Sequence, residues 1–569
     1  RVLIDGTSCD QPLLVSGTEI ITLSNLELSH SNGLVLEIDS TFASVTMNSI
    51  TIQNSGYNYQ GNSSEGGVIH SVGSLNITAS NFSNNTGGLG GVFYLEGGSI
   101  SVENSFFSGN SALNGGVFYA KNGTSISSYN NEFDANQTIN SGFGAVGDFL
   151  FSVSFSDSYS RYTNNSSSSH GGVFYLNHNI ASSEANILTV SHALFQNNEA
   201  GTSSISTGNG GVLYSYNRAD ISFSTSEFDG NTAAGGGALW IVGANSTVQI
   251  NSSDFDGNTG DGNQGGAIAV MAESPSTPTH LSISNSSFNS NSSSYTFGGA
   301  VALGNASSLQ AHGSLWITDS IFDANSISTS SDAHGGAVFV NTTSDNVSIV
   351  NSQFLNNSAH ASGGALYVNG ADIVSVSNSQ FRNNTANSAA TYPRYGGAFF
   401  INDSLGVSID NSYFCSNSVF QTGNLAASGA AFYGQNIDEL SVQNIIFQEN
   451  ESDHLGGALA VDAVTDVYAQ NNSFVGNTAI EGAAISMTSS VGELLNNIIS
   501  DSNGSGVYAF DAYSSATSIQ YSDFFQNTSD VGGGFSIPIG SNGNISANPD
   551  FIAYSLDGNC FNDSLALAP

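Results

Sequence analysis

The residues best placed to do chemistry in this 569-residue chain are carboxylates that recur at one position of a short motif. Phe-Asp-Gly/Ala-Asn occurs with Asp134, Asp229, Asp256 and Asp323 at its second position. Asp229 and Asp256 fall in consecutive copies. Stacked one strand spacing apart, two such charges repel by ~1–3 kcal/mol at a surface-like dielectric. A shared Ca²⁺, which prefers carboxylate and carbonyl oxygens, relieves that repulsion. The competing reading has both side chains splaying into water, where salt screens them. Asp229 and Asp256 are therefore the candidate metal ligands, Ca²⁺ is the ion they suit, and no other cofactor is expected. A lyase acting on uronates needs a base and cations to neutralise the substrate carboxylate, yet Arg218, Arg382 and Arg394 stand isolated in the sequence. A glycoside hydrolase needs two carboxylates ~5–9.5 Å apart, a spacing that 45 acidic residues meet by chance. His170, His334 and His454 sit near Gly-Gly pairs many repeats apart, so they read as loop residues rather than metal ligands. Trp240 and Trp316 suit sugar stacking, but a lone aromatic on a strand is more often packed. The expectation is that the chain is not an enzyme.

Charge and modification signals point outside the cell. Against those 45 acids stand 6 basic residues, Arg1, Lys121, Arg161, Arg218, Arg382 and Arg394. Nucleic-acid binding requires clustered Lys and Arg, and an anionic bilayer requires the same; neither partner is expected. With no apolar run of 18 residues, no insertion into a membrane is expected within this stretch. Only 9% of residues are charged, so Ser, Thr, Asn and Gly, or attached sugar, must carry solubility. Asn-x-Ser/Thr acceptors for N-linked glycans are abundant, with candidates at Asn62, Asn76, Asn122, Asn136, Asn245, Asn305, Asn341, Asn402, Asn450 and Asn562. Three cysteines, Cys9, Cys415 and Cys560, fit no zinc or redox spacing. Near opposite ends of an elongated chain, Cys9 and Cys560 are candidates for disulfides between successive subunits; free thiols are the alternative.

These residues must be positioned by a repeat. Asn-x-x-Phe-x-x-Asn, a variable loop and Gly-Gly-Ala recur along the chain, as in 351–366, with Phe-x-x-Asn spaced 25 to 34 residues apart. Fixed-period self-similarity predicts a solenoid, and 25 residues suffice for three short strands with corners. Before each Phe, apolar residues alternate, as in Val347 and Ile349, which is the period of a strand. Asn at the following corner tolerates positive φ. Stacked ~4.8 Å apart, Asn351, Asn378, Asn411 and Asn444 are expected to form an amide ladder beside stacked Phe354, Phe381, Phe414 and Phe447. A degenerate coil is expected around Ile499. The fold class is thus all-β, a single right-handed parallel β-helix with one coil per repeat. Residues 1–60 form irregular opening coils, 61–535 the regular repeats, and 536–569 a closing coil and tail. Insertions enter at two points of each coil, between Asn384 and Gly396 and within 267–288, for example.

The paired motifs Phe-x-x-Asn and Gly-Gly-Ala/Val resemble the repeats of chlamydial polymorphic outer membrane proteins. That resemblance implies a right-handed parallel β-helix of the pectate-lyase-like superfamily, over residues 60–535. Together these readings predict a rigid rod of about 90 Å or more at ~4.8 Å per coil. The function expected is that of a secreted or cell-surface structural glycoprotein, polymerised head to tail with itself into a fibre or coat. The alternatives are a monomeric adhesin binding glycans or cells through its insertion loops, and a carbohydrate-active lyase or hydrolase. The chain reads as part of a longer precursor.

Overall fold

In a computed structural model the fold is an all-β parallel solenoid with about 29 residues per turn. The structure describes residues 2–5, 13–56, 66–178, 184–201, 208–243, 245–262, 264–271, 278–294, 297–304, 312–327, 333–342, 345–388, 394–421, 427–536, 539–555, 560 and 563–567. The chain divides into two compact units, residues 1–282 and 283–569. The only helix among the described residues is a single 3₁₀ turn, Ser514–Ala516, and none is long and apolar enough to cross a membrane.

One coil of the second unit shows how the repeat folds. Gln353–Leu355 carries buried Phe354 between two corners. At those corners Asn351 and Asn356 hold φ of 50° and 54°, a region in which Asn is one of the few comfortable L-residues. Ser358–Ala359 follows as a short second strand, small enough to turn inward without crowding. Gly363, at φ 65°, then makes the third corner. A Cβ there would run into the Leu366 carbonyl, and one on Gly364 into the carbonyl of Gly397 in the next coil. That close backbone approach is what the Gly-Gly pair provides. Leu366–Asn369 and Ile373–Ser377 complete the turn, and Phe381 lands in register over Phe354.

Stacking of like on like fills the interior. In the first unit Phe82, Phe107, Phe133, Tyr162, Phe195, Phe228 and Phe255 stack with centroids 4.2–5.1 Å apart. In the second, Phe354, Phe381, Phe414 and Phe447 stack at 4.9, 4.7 and 5.2 Å. Every one of these rings is fully buried, and burial of each contributes about 1.5–3 kcal/mol. Ile499 takes the rung between Phe474 and Phe524, which makes the degenerate coil a full one.

The amide ladder lies one corner later than the sequence reading places it. Asn351, Asn378, Asn411 and Asn444 sit exposed at their positive-φ corners. The buried ladder is built instead by the Asn of Phe-x-x-Asn. In the second unit it runs Asn325, Asn357, Asn384, Asn417, Asn450, Asn477, and in the first Asn85, Asn110, Asn136, Asn165, Asn198, Asn231. Asn384 is typical. Its Oδ1 accepts from the backbone N–H and the Nδ2 of Asn357, both at 3.0 Å. Its Nδ2 donates to the Phe354 carbonyl at 2.9 Å and to Asn417 Oδ1 at 3.0 Å. A left-handed corner turns backbone groups away from the strand ladders, and a buried polar group left unpaired is costly. Only a short side chain carrying both donor and acceptor repairs this in every coil.

The second unit ends in a tail that turns back on its own coils. Phe551–Ala553 pairs antiparallel with Ser564–Leu567. Cys560 forms a disulfide with Cys415, 145 residues earlier, and Gln448 donates to Asp563. The expected bond between subunits through Cys560 is thereby corrected: its sulfur is engaged within its own chain. Cys9 lies outside the described residues.

Candidate functional site

Each strand that follows a Gly-Gly corner alternates between the interior and the outer face. Leu366 and Val368 point in; Tyr367 and Asn369 point out. In register, the outward positions make a second aromatic column on the outside of the coils. In the second unit it runs Phe339, Tyr367, Phe400, Tyr433, with ring centroids 5.2, 4.7 and 5.8 Å apart. The residues before Gly-Gly lean over it: His334 lies 4.5 Å from Tyr367, and Tyr395 4.3 Å from Tyr433. The column then breaks. The next two rungs are Ala460 and Ser486, and an aromatic returns at Tyr508.

The break opens a pocket of about 220 Å³. Tyr433 and Tyr395 wall one end, Phe510 the other, Ala460 and Ser486 form the floor, and Asp462 and Thr488 stand at the side. Asp462 and Thr488 are themselves register partners. Burial raises the Asp462 carboxyl above its ordinary range, the Tyr433 hydroxyl donating to it opposes that rise, and the charge of Asp511 adds to it. Burial likewise pushes the Tyr433 phenol up, with Tyr395 and Asp462 reinforcing it.

In the first unit the same outward column reads Tyr94, Tyr119, Asp148, Tyr175, Tyr214, Trp240. Asp148 is 2% exposed, its Oδ1 has no hydrogen-bond partner among the described residues, and burial holds its carboxyl well above the carboxylate range. His170 is part of the packing, 4.3 Å from Tyr214 and 5.8 Å from Phe143, and burial lowers its pKa. Trp240 is buried in the column; Trp316 is 39% exposed. Three of the cations are bound into the architecture as well. Lys121 pairs with Glu96 and lies over the Tyr94 ring at 5.2 Å, Arg382 stacks on Tyr413 at 4.9 Å, and Arg394 is 1% exposed.

Asp229 and Asp256 are brought together as register partners in adjacent coils. Asp229 accepts a hydrogen bond from Gln196 at 2.7 Å. Among the described residues no three or more His, Cys, Asp or Glu are grouped as metal ligands would be.

The glycan acceptors separate by burial. Asn76, Asn122 and Asn245 are exposed, and Asn402 is half-buried with its amide donating to Asn369 and Asp403. Asn136 and Asn450 are corrected: both are rungs of the interior ladder, 0% exposed, with both amide protons committed. Asn341 is 7% exposed. Asn62, Asn305 and Asn562 lie outside the described residues.

The interrupted outer column escaped sequence reasoning. Its signal is the second residue after Gly-Gly-Ala/Val, aromatic in most coils and small at Ala269, Ala302, Ala460 and Ser486. No curated protein matches the chain significantly. Residues 351–369, which carry Phe354, Asn357, the Gly363–Gly364 corner and Tyr367, match the family model of the Chlamydia polymorphic membrane protein (Chlamydia_PMP) repeat, in keeping with a parallel β-solenoid of that kind.

Proposed function

We propose that the chain is a non-enzymatic structural protein of the cell surface, displayed outside the cell. One observation carries the reading: the segment similar to a surface-protein repeat is the segment that builds the buried Phe stack and the Asn ladder. What the chain repeats is architecture. The Cys415–Cys560 disulfide supports an oxidising, extracytoplasmic setting. In the fuller form of the proposal, copies assemble head to tail into a fibre or coat, and exposed Asn76, Asn122 and Asn245 carry N-linked glycans where the host supplies them. Assembly rests on contacts other than Cys560.

Protease shaving of intact cells tests the location: chain removed from the outside supports it. Full protection until the envelope is opened, with Cys415 and Cys560 both alkylated without reductant, overturns it. Negative-stain images then decide the assembly, a regular filament repeat supporting the fibre and isolated particles at all concentrations refuting it.

A further inference from the structure

We propose that the break in the outer aromatic column of the second unit is a binding subsite for one neutral pyranose ring. Tyr433, Ala460, Ser486 and Tyr508 are successive rungs of one register. The missing rungs leave the outer face of Tyr433, braced by Tyr395 at 4.3 Å, without the next ring of its stack. Phe510, 59% exposed, closes the far end. A slot of about 220 Å³ falls below the roughly 300–1,000 Å³ of drug-sized sites, so it takes a single ring.

The lining selects the kind of ring. A pyranose is amphipathic, with an apolar C–H face and a rim of hydroxyls. Phe510, Tyr395 and Leu455, over a floor of Tyr433 and Ala460 that is 6% and 4% exposed, match the first; the Asp462 carboxylate and the Thr488 hydroxyl match the second. Asp462 already accepts from the Tyr433 hydroxyl and has Gln435 Nε2 at 3.5 Å; a carboxylate has about four lone-pair sites, so it retains acceptor capacity for sugar hydroxyls. Asp462 lies close enough to Asp511 for that charge to raise its pKa, and the chain carries a formal charge of -39. Uronic and sialic acids are repelled by that field. An aromatic side chain from a partner protein would fill the slot but leave Asp462 and Thr488 facing an apolar edge. The site lies on the coil face with Tyr395, His454 and Leu455 of the loops before Gly-Gly at its edge, and it stands apart from the scaffold reading.

The test uses the purified full chain with ligand-observed saturation-transfer NMR and calorimetry. Its probes are the methyl glycosides of glucose, galactose and N-acetylglucosamine, with glucuronic acid and p-cresol as contrasts. At least one neutral glycoside is expected to receive saturation, strongest on the C–H protons of one face. Ala460→Tyr, which continues the column and fills the slot, abolishes the signal while the melting temperature holds or rises. Asp462→Asn weakens binding by about tenfold. Three results overturn the proposal: no transfer to any neutral glycoside, transfer that survives Ala460→Tyr, or p-cresol binding where the glycosides do not. Glucuronic acid binding as well as the neutral sugars overturns the charge selection. None of these readouts depends on where the chain resides, so failure here leaves the surface reading standing, and the reverse.

Discussion

Replacing Asn384 by Ala isolates what the interior ladder contributes. The side chain is fully buried, so no water can stand in for it. Its loss removes the acceptor of the Asn357 backbone N–H, one acceptor of Asn357 Nδ2, and the donor to the Phe354 carbonyl. At ~1–3 kcal/mol for each buried group left unsatisfied, the cost is on the order of 3–6 kcal/mol. Its neighbour Asn383 is the control: exposed, at φ 53°, with one contact to Asn356. Asn383→Ala keeps the Cβ and loses only that contact and the local polar bonding that eases Asn in a left-handed corner, at most about 1–2 kcal/mol. Urea unfolding of both variants, with hydrogen exchange at the Asn357 amide, measures the difference. Asn384→Asp extends the comparison. It keeps the shape but puts a carboxylate where a donor is required, so its folded pKa is raised. The variant then recovers stability below the unfolded value of ~3.9 and loses it as pH rises. If Asn384→Ala costs no more than Asn383→Ala, the amides merely occupy the ladder and do not hold it.

Burial pushes Asp157 up to about 6, against hydrogen bonds from Ser128 and Ser160. Its contribution is therefore full below ~3.9 and is lost as pH rises through about 6; Asp157→Asn flattens that stretch of the melting-temperature profile. Reducing Cys415–Cys560, or Cys560→Ser, is expected to destabilise the second unit by on the order of 4 kcal/mol. Partial proteolysis then cuts first within the tail hairpin, and alkylation of Cys560 in the unreduced folded chain would disprove the bond. In a secretory host, glycan mapping is expected to find sugar at exposed Asn76, Asn122 and Asn245 and none at Asn136 or Asn450. Occupied Asn136 in a folded sample contradicts the buried ladder.

The coil period, the Phe stack and the hidden coil at Ile499 were legible because each depends on period alone; the strand count was not, since three strands per coil were expected and the coil around Phe354 has four. Nor was the ladder. Both corners flanking each Phe carry Asn in the stretch around 351, and periodicity cannot say which side chain turns inward. Comparison among coils could have done so. The corner before Phe accepts Ala79, Thr225, Ser252 and Asp319 at positive φ, the variety of a position that faces water. The Asn three after Phe recurs from Asn85 through Asn477 in every Phe or Tyr coil, because there both donor and acceptor are used. The Cys415–Cys560 bond was illegible for another reason: it depends on the tail reversing across its own coils, which no local pattern encodes.

That contrast bears on where function resides in such a chain. Interior positions answer to the coils above and below, so any substitution there is judged by stacking, and the repeat becomes uniform. Outward positions after Gly-Gly answer to solvent and to ligands, and only there can one coil differ from its neighbours at little cost. Most of the outward column nevertheless remains aromatic, which shows that ring on ring stabilises the outer face too. Two adjacent small residues, Ala460 and Ser486, forgo that stacking with Tyr433 on one side and Tyr508 on the other. Relative to rings in those places they give up about 0.5–1.5 kcal/mol per lost aromatic contact. Ala269, beside Trp240, and Ala302, beside Phe339, are small at the same position and fully buried, so a missing ring alone assigns nothing. The gap at Ala460 and Ser486 differs in opening beside a carboxylate and a hydroxyl, and occupancy from outside is the account proposed for it. Ala460→Tyr separates the two accounts: a gain in stability with unchanged binding would return the gap to packing, while a gain in stability that removes binding assigns it to a ligand.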